Sequence, residues 1–228
     1  MLVHRLLVRL CLLALLVPAS AIAQHDDKEH QHGDDATASH RFDDAEKWAD
    51  RFEDPARDAW QKPDSIVAVL CVRDDLVIVD IGSATGYFPV RFAKACPSGQ
   101  VFGADIESEM VWFLNERARH EEIPNLVSIL AAPDDPCLPM RVDLVFLCNT
   151  YHHIDDRVDY FTRLKEQLQP GGRVAVVDFR MSSHRGPPHK LERETVESEM
   201  AGAGYTLVES HDFLSDQYFI VFEAGAED

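Results

Sequence analysis

Val77-Ile-Val-Asp80-Ile-Gly82-Ser-Ala84-Thr-Gly86-Tyr-Phe88 is the stretch that decides the fold. Three β-branched residues run into an acid, a turn of small residues follows, and an amphipathic segment begins after it. This reads as a buried parallel strand, a tight turn and a helix N-terminus. Small side chains in such a turn let a nucleotide-like ligand come close to the backbone.

The chain alternates strand and helix patterns on both sides of the turn. Before it, residues 42–75 read as a helical cap, with two short helices over 42–70. Trp48 and Phe52 share one face of the first, Pro55 breaks it, and Pro63 opens the second. After it come a helix over 87–96, a strand over 101–105 and a helix over 107–120 with Val111, Leu114 and Ala118 on one face. Strands at 126–130 and 142–148, a helix at 157–168 and a strand at 173–178 continue the alternation. A helix near 191–203, capped by Gly204, precedes strands at 205–213 and 217–222. The last two strands are close enough for a hairpin, so one of them should run antiparallel. The expected fold is α/β: a doubly wound, Rossmann-like, mainly parallel seven-stranded sheet over residues 76–228.

With 228 residues, 46% of them hydrophobic, the chain can form one sizeable core but not two full domains. Forty acidic against 22 basic residues give a net charge of -18, which argues against a nucleic-acid partner. Residues 1–23 have the form of a secretory signal peptide. Arg5 and Arg9 precede an apolar run from Leu10 to Val17, and Ala21-Ile-Ala23 fits the small-residue cleavage rule. The run is short for a membrane span, so cleavage would leave no stable membrane insertion. Export, in a bacterium to the periplasm, is the expected destination; the alternative is an uncleaved leader that anchors the protein in the membrane. Residues 24–41 are polar, with His25, His30, His32 and His40 among acids. They read as a solvated tail, able at most to hold a metal weakly. No metal ligands are assigned within the domain. Cys71, Cys96, Cys137 and Cys148 would remain after cleavage; export permits disulfides, but the spacing names no pairs.

In an open α/β sheet, ligands sit beyond the carboxyl ends of the strands, and four such ends here carry polar residues. Asp80 is followed by Gly82, Ala84 and Gly86. Asp105 ends the next strand, where a carboxylate can accept two hydrogen bonds from a ribose diol. Asp134 and Asp135 follow the third strand. Cys148-Asn149-Thr150-Tyr151-His152-His153 follows the fourth.

The spacing of the first motif and the order of the others resemble class I S-adenosylmethionine-dependent methyltransferases, over residues 60–222. Ala84 stands where that family normally has the middle of three alternate glycines. The resemblance implies an enzyme that moves a methyl group from S-adenosylmethionine to a small-molecule acceptor, whether at oxygen, nitrogen, sulfur or carbon. It gives cofactor binding to Asp80, Gly82, Ala84, Gly86 and Asp105. It gives the adenine amino group to Asp134 or Asp135. His152 and His153 fall at the family's substrate-facing edge, where a histidine can serve as general base. The loop over 180–190, which holds His184 and His189, borders the acceptor pocket in that family. The competing reading is an exported, non-catalytic binding protein that keeps the cofactor fold as a scaffold, with metal captured by the tail.

Overall fold

The computed structural model describes residues 45–225; the leader and the histidine-rich tail lie outside them. Three short helices come first: α1 (Ala45–Phe52), α2 (Ala56–Gln61) and α3 (Pro63–Leu70). The alternating body follows as β1 (Val77–Ile81), α4 (Pro89–Ala95), β2 (Gln100–Asp105), α5 (Ser108–His120), β3 (Leu126–Leu130), β4 (Val142–Cys148), α6 (Arg157–Leu164), β5 (Leu168–Phe179), α7 (Arg193–Gly202), β6 (Tyr205–His211) and β7 (Gln217–Ala224).

The seven strands form one sheet in the order β3-β2-β1-β4-β5-β7-β6. Only β7 runs antiparallel, pairing with both β5 and β6. The strand order reverses between β1 and β4, and in doubly wound sheets a crevice for ligands opens at that point.

The continuous apolar runs of β1 and β4 follow from burial on both faces. Ile78, Leu144 and Phe146 point into one cluster with Ile66, Leu70, Phe88 and Phe92. Their neighbours Val79, Val145 and Leu147 point into the other with Phe161, Leu164 and Met200. In the first cluster Phe88 and Phe92 pack on Phe146 at centroid distances of 4.7 and 5.0 Å.

Several boundaries differ from the sequence reading, each for a local reason. The leading segment forms three helices because Lys62 adopts a left-handed conformation (φ 48°) ahead of Pro63, which separates α2 from α3. The helix after the small-residue turn begins at Pro89 rather than 87, because Tyr87 and Phe88 still belong to the turn. On α5 the buried face is Met110, Leu114 and Ala118, an unbroken four-residue spacing, and Val111 is half-buried beside it. α6 stops at Leu164 and gives way to a 3-10 turn, Lys165–Gln167. β5 begins early: Leu168 pairs with Val142, the next four residues bulge out, and pairing resumes at Arg173 opposite Leu144. No described helix is long and apolar enough to cross a membrane.

Candidate active site

The turn after β1 is built for close approach. Gly82 and Gly86 have φ of +75° and +95°. A Cβ on Gly82 would lie 2.5 Å from the Thr150 side chain, and one on Gly86 would lie 2.2 Å from Leu114. The turn therefore tolerates no side chain at either position. Ala84 is itself left-handed, at φ +45°, which costs a non-glycine residue about 1–2 kcal/mol.

Asp105 holds that strained turn. Its Oδ2 accepts the Ala84 N–H at 2.9 Å and its Oδ1 accepts the Glu107 N–H at 3.0 Å. The N–H groups of Gly82 and Ser83 return to the Ala104 carbonyl, so the turn is stitched to the end of β2. Burial pushes the Asp105 carboxyl above the usual carboxylate range, against the pull of the two backbone N–H groups. Burial raises Asp80 further; the positive charge of Arg57 opposes this and the negative charge of Asp105 adds to it. Beside Asp105, the apolar side chain of Ile106 stands exposed.

The leading helices close over the turn. Glu53, just past α1, accepts from Thr85 Oγ1 at 2.7 Å and pairs with Arg117 at 2.8 Å. Arg117 also donates to the Thr85 carbonyl. On α2, Asp58 accepts from the Tyr87 hydroxyl and pairs with Arg91. Arg57 lies over the Tyr87 ring at 3.8 Å and donates to Gln61. Gln61 in turn donates to Gln217, which donates to Asn149 at the end of β4. A buried polar chain thus ties α2 to β7 and to the edge where an acceptor would enter.

That edge carries both candidate bases. After Asn149 (φ 58°), residues Tyr151–His153 form a 3-10 turn. Tyr151 is buried, stacked on Phe161 at 5.1 Å with its hydroxyl on Glu199, and anchors the turn. His152 is buried, and its Nδ1 lies 2.8 Å from Oδ2 of Asp178, itself buried at the end of β5. Oδ1 of Asp178 accepts the Phe179 N–H, so the carboxylate is held from both sides. His153 is exposed, with its ring 4.2 Å from that of His152. The rings of His152 and His153 lie 5.5 and 6.0 Å from that of His189. Burial pushes the Cys148 thiol up to about 12, so it is no nucleophile at neutral pH.

The fold brings Asp80, Gly82, Ala84, Gly86 and Asp105 together around the ends of β1 and β2, and sets His152 and His153 across the switch point from them. Asp134 and Asp135 are placed elsewhere. Oδ1 of Asp135 accepts from the Cys137 N–H and from Gln167, the residue just before β5. The Asp134 carbonyl and carboxylate face Arg163 near the end of α6. Both acids therefore sit near the amino ends of β4 and β5, away from the ligand edge. Sequence reasoning did not single out Glu53, Arg57, Thr150 or Asp178 as functional. Asp178 could have been found, because it ends a strand just as Asp80 and Asp105 do.

The fold agrees with the comparisons to known proteins. The sequence model of the family described as "Methyltransferase domain" matches residues 73–217. The chain belongs to that family. It is 28% identical over 166 residues to the 27-O-demethylrifamycin SV methyltransferase of Amycolatopsis mediterranei, covering 72% of this chain and 58% of that one. The chain thus spans little more than half the length of that relative. Its fold is similar to a SAM-dependent methyltransferase from Aquifex aeolicus, with a TM-score of 0.73 at 18% identity over 80% of this chain and 99% of the other. It is also similar to the magnesium protoporphyrin IX methyltransferase of Synechocystis with bound SAH, with a TM-score of 0.62 at 15% identity over 79% and 93%.

Proposed function

We propose that the protein methylates a small hydroxylated acceptor held beside the carboxyl end of β4, with His152 taking the acceptor's proton. The observation that carries this reading is the juxtaposition at the switch point: a side-chain-free turn pinned by Asp105 on one side, and the His152–Asp178 pair on the other. When bound, S-adenosylmethionine supplies an electrophilic methyl on a sulfonium, so alignment is the main task left to the protein.

Asp105 offers its remaining lone pairs to a ribose diol, and Gly82 and Gly86 leave room for the backbone to be approached. Ile106 offers an apolar surface for a base. Asp178 fixes His152 with Nδ1 engaged, so Nε2 carries the lone pair that receives the acceptor's proton. A small oxygen acceptor is favoured because the Amycolatopsis relative is named for a 27-O position.

The test uses purified, untagged protein with radiolabelled S-adenosylmethionine: donor binding by calorimetry, then label transfer to a panel of hydroxylated small molecules. Transfer is expected, with His152→Ala lowering turnover on the order of 10²-fold or more while donor affinity holds. Equal turnover in the folded variant would remove the base role. Donor binding with no transfer to any acceptor would point to a binding protein on an enzyme scaffold.

A further inference from the structure

We infer that His152, His153 and His189 form a site for one divalent first-row transition-metal ion at the edge of the acceptor region. The inference goes beyond methyl transfer and does not require it, but it competes with the base role proposed for His152. One ring nitrogen from each lies within 4.8 Å of the others. A tetrahedral ion with metal–nitrogen bonds of about 2.0 Å needs those atoms about 3.3 Å apart. His153 and His189, the two nearer solvent, are the rings that would turn to close the difference.

Two further observations point to an ion. Both ring nitrogens of His189 are shielded from solvent and have no hydrogen-bond partner among the described residues. Buried polar atoms are normally satisfied, and a missing ligand is one reason for an exception. Asp178 grips Nδ1 of His152 at 2.8 Å, which holds Nε2 ready for a metal; carboxylate–histidine–metal triads are built this way. The backbone supports the same geometry. Tyr151 anchors the turn that carries His152 and His153, and Pro187-Pro188 stiffens the approach to His189.

The donor set indicates the kind of ion. Three neutral imidazoles with no thiolate suit zinc, iron, nickel or copper and do not suit calcium or magnesium. Three protein ligands also leave a coordination position open, as catalytic rather than structural sites do. Metal binding and proton acceptance exclude one another at Nε2 of His152, so an occupied site displaces the base role proposed above.

The test measures zinc binding, not activity. Untagged full-length protein is stripped with a chelator and titrated with zinc chloride in a competition assay. His25, His30, His32 and His40 are replaced by Gln to silence the tail. One zinc per chain is expected, with His153→Ala and His189→Ala each weakening it on the order of 10²-fold. Asp178→Asn should weaken it about 10- to 100-fold. The cobalt-loaded protein should show the strong visible absorption of a four-coordinate site, lost in His153→Ala. His153 is exposed, so that variant tests the site even if His189→Ala fails to fold. Zinc affinity unchanged in the folded His153→Ala protein overturns the inference, as does loss of all binding on silencing the tail. Donor binding measured on the same samples separates failure of the metal site from failure of the methyltransferase reading.

Discussion

Replacing Asp105 separates the turn-pinning that the structure shows from the ribose binding proposed for the same carboxylate. In the free protein it accepts backbone N–H bonds from Ala84 and Glu107, at 2.9 and 3.0 Å, in a largely buried setting. Asp105→Ala strands both donors, at about 1–3 kcal/mol each. Two terms offset this: removal of a carboxylate that burial already disfavours, and relaxation of the left-handed Ala84. A net loss of about 2 kcal/mol corresponds to a fall in Tm of roughly 4–8 °C for a domain of this size. The second task, a proposed one, is cofactor recognition. Two charge-assisted bonds to a ribose diol, at about 1.5–3 kcal/mol each, make a factor of about 10² to 10⁴ in Kd. Asp105→Asn keeps one acceptor oxygen and should fall between wild type and alanine on both scales. Calorimetry with S-adenosylhomocysteine, paired with thermal melts, reads the two effects separately. A lowered Tm with Kd changed less than about threefold would refute the ribose assignment and leave Asp105 as a staple for the turn.

The other predictions use different parts of the molecule. Asp80 has a raised pKa in the fold, so the folded state holds its proton longer than the unfolded chain does, and stability falls as pH rises from about 4 through the raised value. Asp80→Asn should therefore raise the Tm of the cofactor-free protein more at pH 8 than at pH 5; an equal shift at both would contradict the burial argument. The Cys71 and Cys96 sulfurs lie 3.0 Å apart as free thiols. Mild oxidation should join them with loss of two hydrogens by mass, and closing that loop is worth about 3 kcal/mol in the chain-entropy model. A Tm gain of several degrees that survives Cys71→Ser would rule this pair out. Export predicts an N-terminus at Gln24 in protein taken from its native host, whereas a soluble cytoplasmic species beginning at Met1 would end that proposal.

Periodicity carried most of the architecture because burial on both faces leaves an unmistakable pattern. β3 and β4 are readable to the residue, and the single antiparallel strand follows from the short connection before β7. The misreadings come where apolar residues serve something other than a regular element. Tyr87 and Phe88 extend a helical pattern in sequence, yet the chain keeps them in the turn, with Tyr87 reaching Asp58 and Phe88 packing on Phe146. Leu168 looks like the last residue of a helix but pairs with Val142, because the bulge that follows lets the strand begin early.

The candidate site was legible only where chemistry follows from a strand's end. Asp80 and Asp105 meet that condition, since a carboxyl terminus in a parallel sheet points its residue at the ligand edge whatever the loops do. Asp134 and Asp135 do not, because their place depends on the path of a long connection, and that path carries them to Gln167 and Arg163. The histidines show the same limit. Adjacent residues on a 3-10 turn point in directions about a third of a revolution apart, so His152 turns inward to Asp178 and His153 faces solvent. Nothing local tells which of the two meets a charge partner. His189 joins them only because the 180–192 connection folds back over the end of β5, a tertiary event with no periodic signature. The three imidazoles are therefore a property of the fold rather than of any motif, and a search for metal-ligand spacing along the chain passes over them.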